Sequence, residues 1–184
     1  MKEYTTIISI DPGANGSITH TKIVNGVISM NPICVKMPKE FKEINSYLKS
    51  IDQGLERSIC FIEKINMRPS DQSGGKMFGM MKLMRNFEFL KAACVENNIG
   101  FIEVHPSTWQ NFLKLKLPKG SKKETTTIRK GRYKEAAKQY FPSINVVLWN
   151  SDALLIMVFG LKKISEDKQY IRENLPEIDF DLLF

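Results

Sequence analysis

The chain has 184 residues, 42% of them hydrophobic, which is enough for one sizeable core and too short for two comfortable domains. Its 27 Lys and Arg against 20 Asp and Glu give a formal charge of +7, which favours polyanions and acidic partners without selecting one. Three cysteines with no CxxC spacing argue against a disulfide framework or a zinc site, and neither a signal peptide nor a run of roughly 18 apolar residues is visible. Free thiols, no membrane and a cytoplasmic setting are expected, with one folded domain over 1–164 and a C-terminal tail over 165–184.

In chain order, Tyr4 to Ile10 is β-rich and runs into the turn Asp11-Pro12-Gly13. Gly16 to Ile23 and Val27 to Met30 read as the next two strands, joined at the hairpin signal Asn25-Gly26. Phe41, Ile44, Leu48 and Ile51 recur at helical spacing, so Lys39 to Ile51 is predicted as a helix. Ile59 to Glu63 is a short apolar strand, Met67 to Lys76 a loop, Met77 to Asn97 the longest helix, and Ile99 to Val104 a strand. His105-Pro106-Ser107 starts a helix that includes Trp109 and Phe112, two residues whose spacing suits a buried face. Leu115 to Lys130 is predicted as a basic loop, Gly131 to Tyr140 as a helix, Ile144 to Leu148 as extended, and Ser151 to Lys163 as a helix with Ser151 at its N-cap. Strands alternating with helices after an initial three-strand meander predict an α/β fold with a mixed sheet.

Asp11 ends the first strand, Glu63 ends a later one, and Asp152 begins the last helix. Ligands gather at the carboxyl ends of strands in open α/β sheets, so Asp11 and Glu63 converge if their strands are neighbours. Carboxylates without histidine or cysteine suit a hard cation such as Mg2+ or Mn2+, and two such ions suit phosphodiester cleavage. Each acid alone reads equally as a turn residue, an N-cap or a solvated charge.

Four segments in order, Ile-Ser-Ile-Asp11-Pro12-Gly13, Phe-Ile62-Glu63-Lys64, Val104-His105-Pro106-Ser107-Thr-Trp109 and Ser151-Asp152-Ala153-Leu154, resemble the RuvC-like Holliday-junction resolvases, particularly their phage and organellar branch. The resemblance spans about residues 4 to 163. It implies a ribonuclease-H-like fold with a mixed five-stranded sheet flanked by helices, a homodimer, and Mg2+-dependent cutting of four-way DNA, with Mn2+ as substitute and two ions per site. It implies that Asp11, Glu63 and Asp152 are catalytic and metal-binding. The family usually has a further acid or a histidine just before the helical aspartate. Here that stretch is Leu148-Trp149-Asn150-Ser151, and Asn150 offers only a neutral oxygen.

Nine basic residues lie between Lys114 and Lys134, a cluster that would neutralise phosphates and make binding salt-dependent. The resemblance puts lysines of this region near the scissile phosphate, with Lys122 assigned to stabilising transition-state charge and Lys119, Lys123 and Lys130 to DNA contact. It also sets the segment from Asn66 to Lys76 where relatives enter the junction centre, which assigns Arg68 and Lys76 to DNA and leaves Met67 and Met77 as wedges between bases. Met77, Met80, Met81 and Met84 form a second apolar stripe on the long helix, suited either to the core or to a dimer interface. The tail ending Asp-Phe-Asp-Leu-Leu-Phe184 loosely resembles peptides that bind replication sliding clamps. A ribonuclease acting on RNA–DNA hybrids and a non-catalytic junction-binding protein are the alternative functions.

Overall fold

The computed structural model describes residues 6–24, 27–51, 57–66, 75–118 and 124–166. Strand β1 (Thr6–Asp11) lies at the centre of the sheet. It pairs antiparallel with β2 (Ser17–Val24), setting Asp11 opposite Ser17. On its other side it runs parallel to β5 (Ser58–Glu63), which in turn runs parallel to β6 (Gly100–Val104). The outer edge of β2 is shared by two short strands, β3 (Val27–Ile28) at one end and β4 (Ile33–Lys36) at the other. The sheet is therefore mixed and five strands wide, as the resemblance implied.

Helices cover both faces of the sheet, so β1 and β5 read as nearly continuous apolar runs. Alternation along the strands sends Ile7, Ile59, Phe61, Ile102 and Val104 to one face and Ile8, Ile10, Cys60 and Ile62 to the other. The second face is closed by α1 (Phe41–Ile51), through Ile44, Leu48 and Ile51, and by α2 (Gly75–Glu96), through Phe87, Leu90 and Cys94. The first face is closed by α3 (Pro106–Phe112), α4 (Thr126–Tyr140) and α5 (Ser151–Glu166). Every residue of α5 from Ser151 to Gly160 is buried. A Cβ at Gly160 would stand 2.4 Å from the Phe61 ring, so only glycine lets the helix lie this close to β5.

Three local expectations are corrected. The third strand stops at Ile28, and β4, bracketed by Pro32 and Pro38, is a strand that the sequence pattern did not suggest; its order comes from pairing with β2 and not from its own alternation. Residues 144–148 form no strand; the Asn150 carboxamide accepts from the Val147 N–H at 2.8 Å and donates to the Asn145 carbonyl at 3.2 Å, closing turns there. Helix α4 begins at Thr126 rather than Gly131, because the Thr125 hydroxyl caps it by accepting from Ile128 N–H. Asn25-Gly26 and the tail beyond Glu166, with its sliding-clamp reading, lie outside the described residues. No helix among the described residues is long and apolar enough to cross a membrane.

Candidate active site

Asp11 and Glu63 end neighbouring parallel strands in register, since Ile10 pairs with Ile62. Gly13 N–H donates to Asp11 Oδ1 at 3.4 Å, Gly16 N–H closes the turn on the Gly13 carbonyl at 2.7 Å, and Asn86 of α2 donates to the Pro12 carbonyl at 2.9 Å. The turn is thus held both locally and from the neighbouring helix. Asp152 arrives in the first turn of α5, where the helix dipole favours a negative charge. The Ser9 hydroxyl of β1 donates to the Ala153 carbonyl at 2.8 Å, tying that helix start to the strand that carries Asp11. Ser151 Oγ donates to Asp152 Oδ1 at 3.0 Å.

Lys130 of α4 joins the acids. Its Nζ lies 2.6 Å from Asp152 Oδ2 and 3.9 Å from Asp11 Oδ2. Burial opposes the charge of this lysine, yet Asp152 and Asp11 hold its ammonium above the ordinary lysine range. One cation does not offset three acids. Burial, then the Asp152 charge, push Asp11 up from 3.8 to about 6, against the pull of Lys130. Burial, then the Asp11 charge, push Glu63 up from 4.5 to about 8, although Trp109 donates its indole N–H to Glu63 Oε2 at 2.8 Å.

These shifts set a pH dependence. Both acids bind protons more tightly in the folded chain than in the unfolded one, so stability is lost as pH rises through the folded values. Without added cations, the melting temperature is expected to fall from about pH 4 to about pH 8, since Asp11 rises from 3.8 to about 6 and Glu63 from 4.5 to about 8. The Glu63→Gln variant should lose the upper part of that fall. Scanning fluorimetry across the range checks it, and an unchanged slope in Glu63→Gln would remove Glu63 as its source.

The donor set of the site is all oxygen, as a hard cation requires, and its excess negative charge is what such an ion would neutralise. Among the described residues no three acids, histidines or cysteines close on one point, and the Lys130 ammonium bridges Asp11 and Asp152 instead. By chemistry and charge the residues fit a divalent ion, which would need Lys130 withdrawn and the acids drawn closer. Asn150 is not free to replace the missing acid, because its oxygen and nitrogen are both used in the turn before α5.

Sequence reasoning placed the three acids at strand and helix ends; the structure sets Asp11 and Asp152 around the ammonium of Lys130, with Glu63 at the end of the strand next to that of Asp11. Sequence reasoning assigned Lys130 to DNA contact and Trp109 to the core, and did not anticipate that either would touch an acid. Lys119, Lys122, Lys123 and Arg68 lie outside the described residues, as does the side chain of Lys76. Of the described residues beside the first three, Glu124 is held by Arg132 of α4, which donates to Glu124 Oε1 at 2.6 Å and also to the Leu115 carbonyl. The same helix therefore presents Lys130 to the acids and Arg132 to Leu115 and Glu124. His105 caps α3, its ring accepting from Ser107 N–H at 3.2 Å.

Neither a protein-family model nor a curated protein sequence matches the chain. Among solved structures, it is similar to RuvC of T. thermophilus in complex with a Holliday junction substrate, with a TM-score of 0.56 and 10% identity over 89% of this chain and 97% of that one. A further structure, of Thermus thermophilus RuvC, matches with a TM-score of 0.56 and 13% identity over 87% of this chain and 95% of that one. The likeness establishes the RuvC ribonuclease-H-like fold.

Proposed function

We propose that the chain is a metal-dependent endonuclease that resolves four-way or otherwise branched DNA. The observation that carries this reading is that Asp11 and Asp152 share the ammonium of Lys130 while Glu63 ends the strand beside Asp11, on a fold like that of a RuvC seen with a Holliday junction. Asp11, Glu63 and Asp152 would hold Mg2+, or Mn2+ in its place, in two ions by the usual pattern of phosphodiester cleavage. Bound there, the metal supplies a Lewis acid for the phosphate and a water of lowered pKa. The chain's own part is to hold the acids at fixed spacing and to bring α4, with its basic flank, beside them. Lys130, released from Asp152, is then a cation available to a phosphate oxygen.

A second copy is part of the reading. On α2, Met77, Phe78 and Met81 are 47%, 73% and 53% exposed, an outward apolar face that supports dimerisation through this helix better than it supports core packing. A twofold dimer offers two symmetric sites to the two strands that must be cut.

The test is incubation of the protein with a labelled four-way junction, a replication fork, an RNA–DNA hybrid and a plain duplex, each with Mg2+, Mn2+ or chelator. Metal-dependent paired nicks confined to branched DNA are expected. Preference for the hybrid would replace this reading with a ribonuclease. Junction binding without cleavage in either metal would make the protein a non-catalytic binder, a reading favoured by the engagement of Asn150 in a structural turn.

A further inference from the structure

Trp109 is fully buried, and a buried indole N–H needs an acceptor. It finds one in Glu63, at 2.8 Å from Oε2, with no donor to Oε1 among the described residues. Strand pairing and a helix start place the two residues together. Val104 pairs with Glu63 at the end of β6, His105 caps the helix that starts at once with Pro106, and Trp109 comes one turn later, back over the strand end. Across the ring, Tyr133 of α4 packs in a T-shaped contact, 5.5 Å between centroids and 67° between planes. Tyr133 is one helical turn from Lys130, so the indole is wedged between the strand that bears Glu63 and the helix that bears the lysine.

We propose that Trp109 is a positioning residue that fixes the Glu63 carboxylate by its indole N–H, leaving Oε1 directed to a divalent cation. The inference rests on the metal-site reading above. A carboxylate at a strand end rotates about its side-chain bonds unless something holds it, and an indole clamped in the core is a rigid donor with only two side-chain torsions. One oxygen is then committed and the other presented. Hydrogen-bond partners of metal ligands commonly contribute about 10–100-fold to metal affinity.

The test is Mn2+ binding to the purified protein by titration calorimetry, without substrate. Trp109→Phe keeps a ring in the core and removes the N–H; it is expected to bind Mn2+ about tenfold more weakly, while a core role alone would change melting and leave affinity unmoved. Glu63→Gln should bind far more weakly still. If the wild type binds and Glu63→Gln does not, but Trp109→Phe matches the wild type, Trp109 positions nothing and this inference alone is overturned. If the wild type shows no saturable binding, the metal-site reading fails and takes this inference with it. Should Trp109→Phe not fold, Trp149→Phe leaves Trp109 as the sole tryptophan. Its emission is then expected to shift on Mg2+ addition with the calorimetric midpoint, and emission unchanged at saturating Mg2+ would overturn the inference.

Discussion

Asp11→Asn and Glu63→Gln are each expected to cut junction cleavage by about a thousandfold or more, while junction affinity stays within a few-fold of the wild type. A ligand carboxylate supports several kcal/mol of transition-state charge stabilisation through the ion it holds, and about 4 kcal/mol is a thousandfold in rate. Both replacements are isosteric, and both remove a negative charge from a site that has too many. Burial and mutual repulsion push Asp11 to about 6 and Glu63 to about 8, so neutralising either relieves the folded state. Each variant should therefore melt no lower than the wild type at pH 8, in the absence of metal, while losing activity. Gel-shift and cleavage assays on the same junction, with melting curves beside them, separate the two effects. Cleavage retained in either variant would take that residue out of the site.

Gly16→Ala is expected to be the most damaging glycine substitution among those described, and to cost activity together with stability. A Cβ at this position would lie 2.1 Å from the Asp11 carbonyl oxygen and 2.8 Å from its Cγ. The first of these is main chain, held in the ladder opposite Ser17, so relief means moving Asp11 itself. Overpacking of this kind costs about 1–3 kcal/mol and sometimes more. The displacement falls on Asp11, the central acid of the proposed site. Gly131→Ala and Gly79→Ala provide the controls, since an added Cβ there meets nothing within 4 Å and both positions are inside helices. Alanine for glycine within a helix gains roughly 0.5–1 kcal/mol. Melting temperatures of the three variants, with cleavage rates, check the contrast; a Gly16→Ala protein as stable and active as the wild type would show that the turn is not built around Asp11.

Much of the sheet was legible because β1 and β5 are long apolar runs buried on both faces, and a run like Ile59 to Ile62 reads as a strand whatever its neighbours. The three acids were legible for a related reason: each stands where a strand ends or a helix begins, and those are positions that chain order alone reveals. β4 was not, because four residues between two prolines carry too little pattern and take their order from β2. The role of Lys130 was hidden by a helix boundary. Gly131 reads as a break, whereas the hydroxyl of Thr125 caps a helix that runs straight through it; the Thr-Thr-Thr run ahead of Ile128 is the signal that was present. Trp109 was hidden differently. Its burial is visible in the spacing, but the partner of its N–H lies 46 residues away, and nothing local announces it.

The ammonium of Lys130 between Asp152 and Asp11 means that the chain supplies its own counter-charge before any ion arrives. In domains whose ligands are left bare, apo protein unfolds and metal loading is the folding step. On the proposed reading the two events would be separable, and an incoming divalent ion would compete with a tethered resident instead of filling a void. Affinity for the ion would be lowered by the work of evicting that resident. An evicted lysine would then emerge with its charge uncommitted, at the moment when a phosphate would need it.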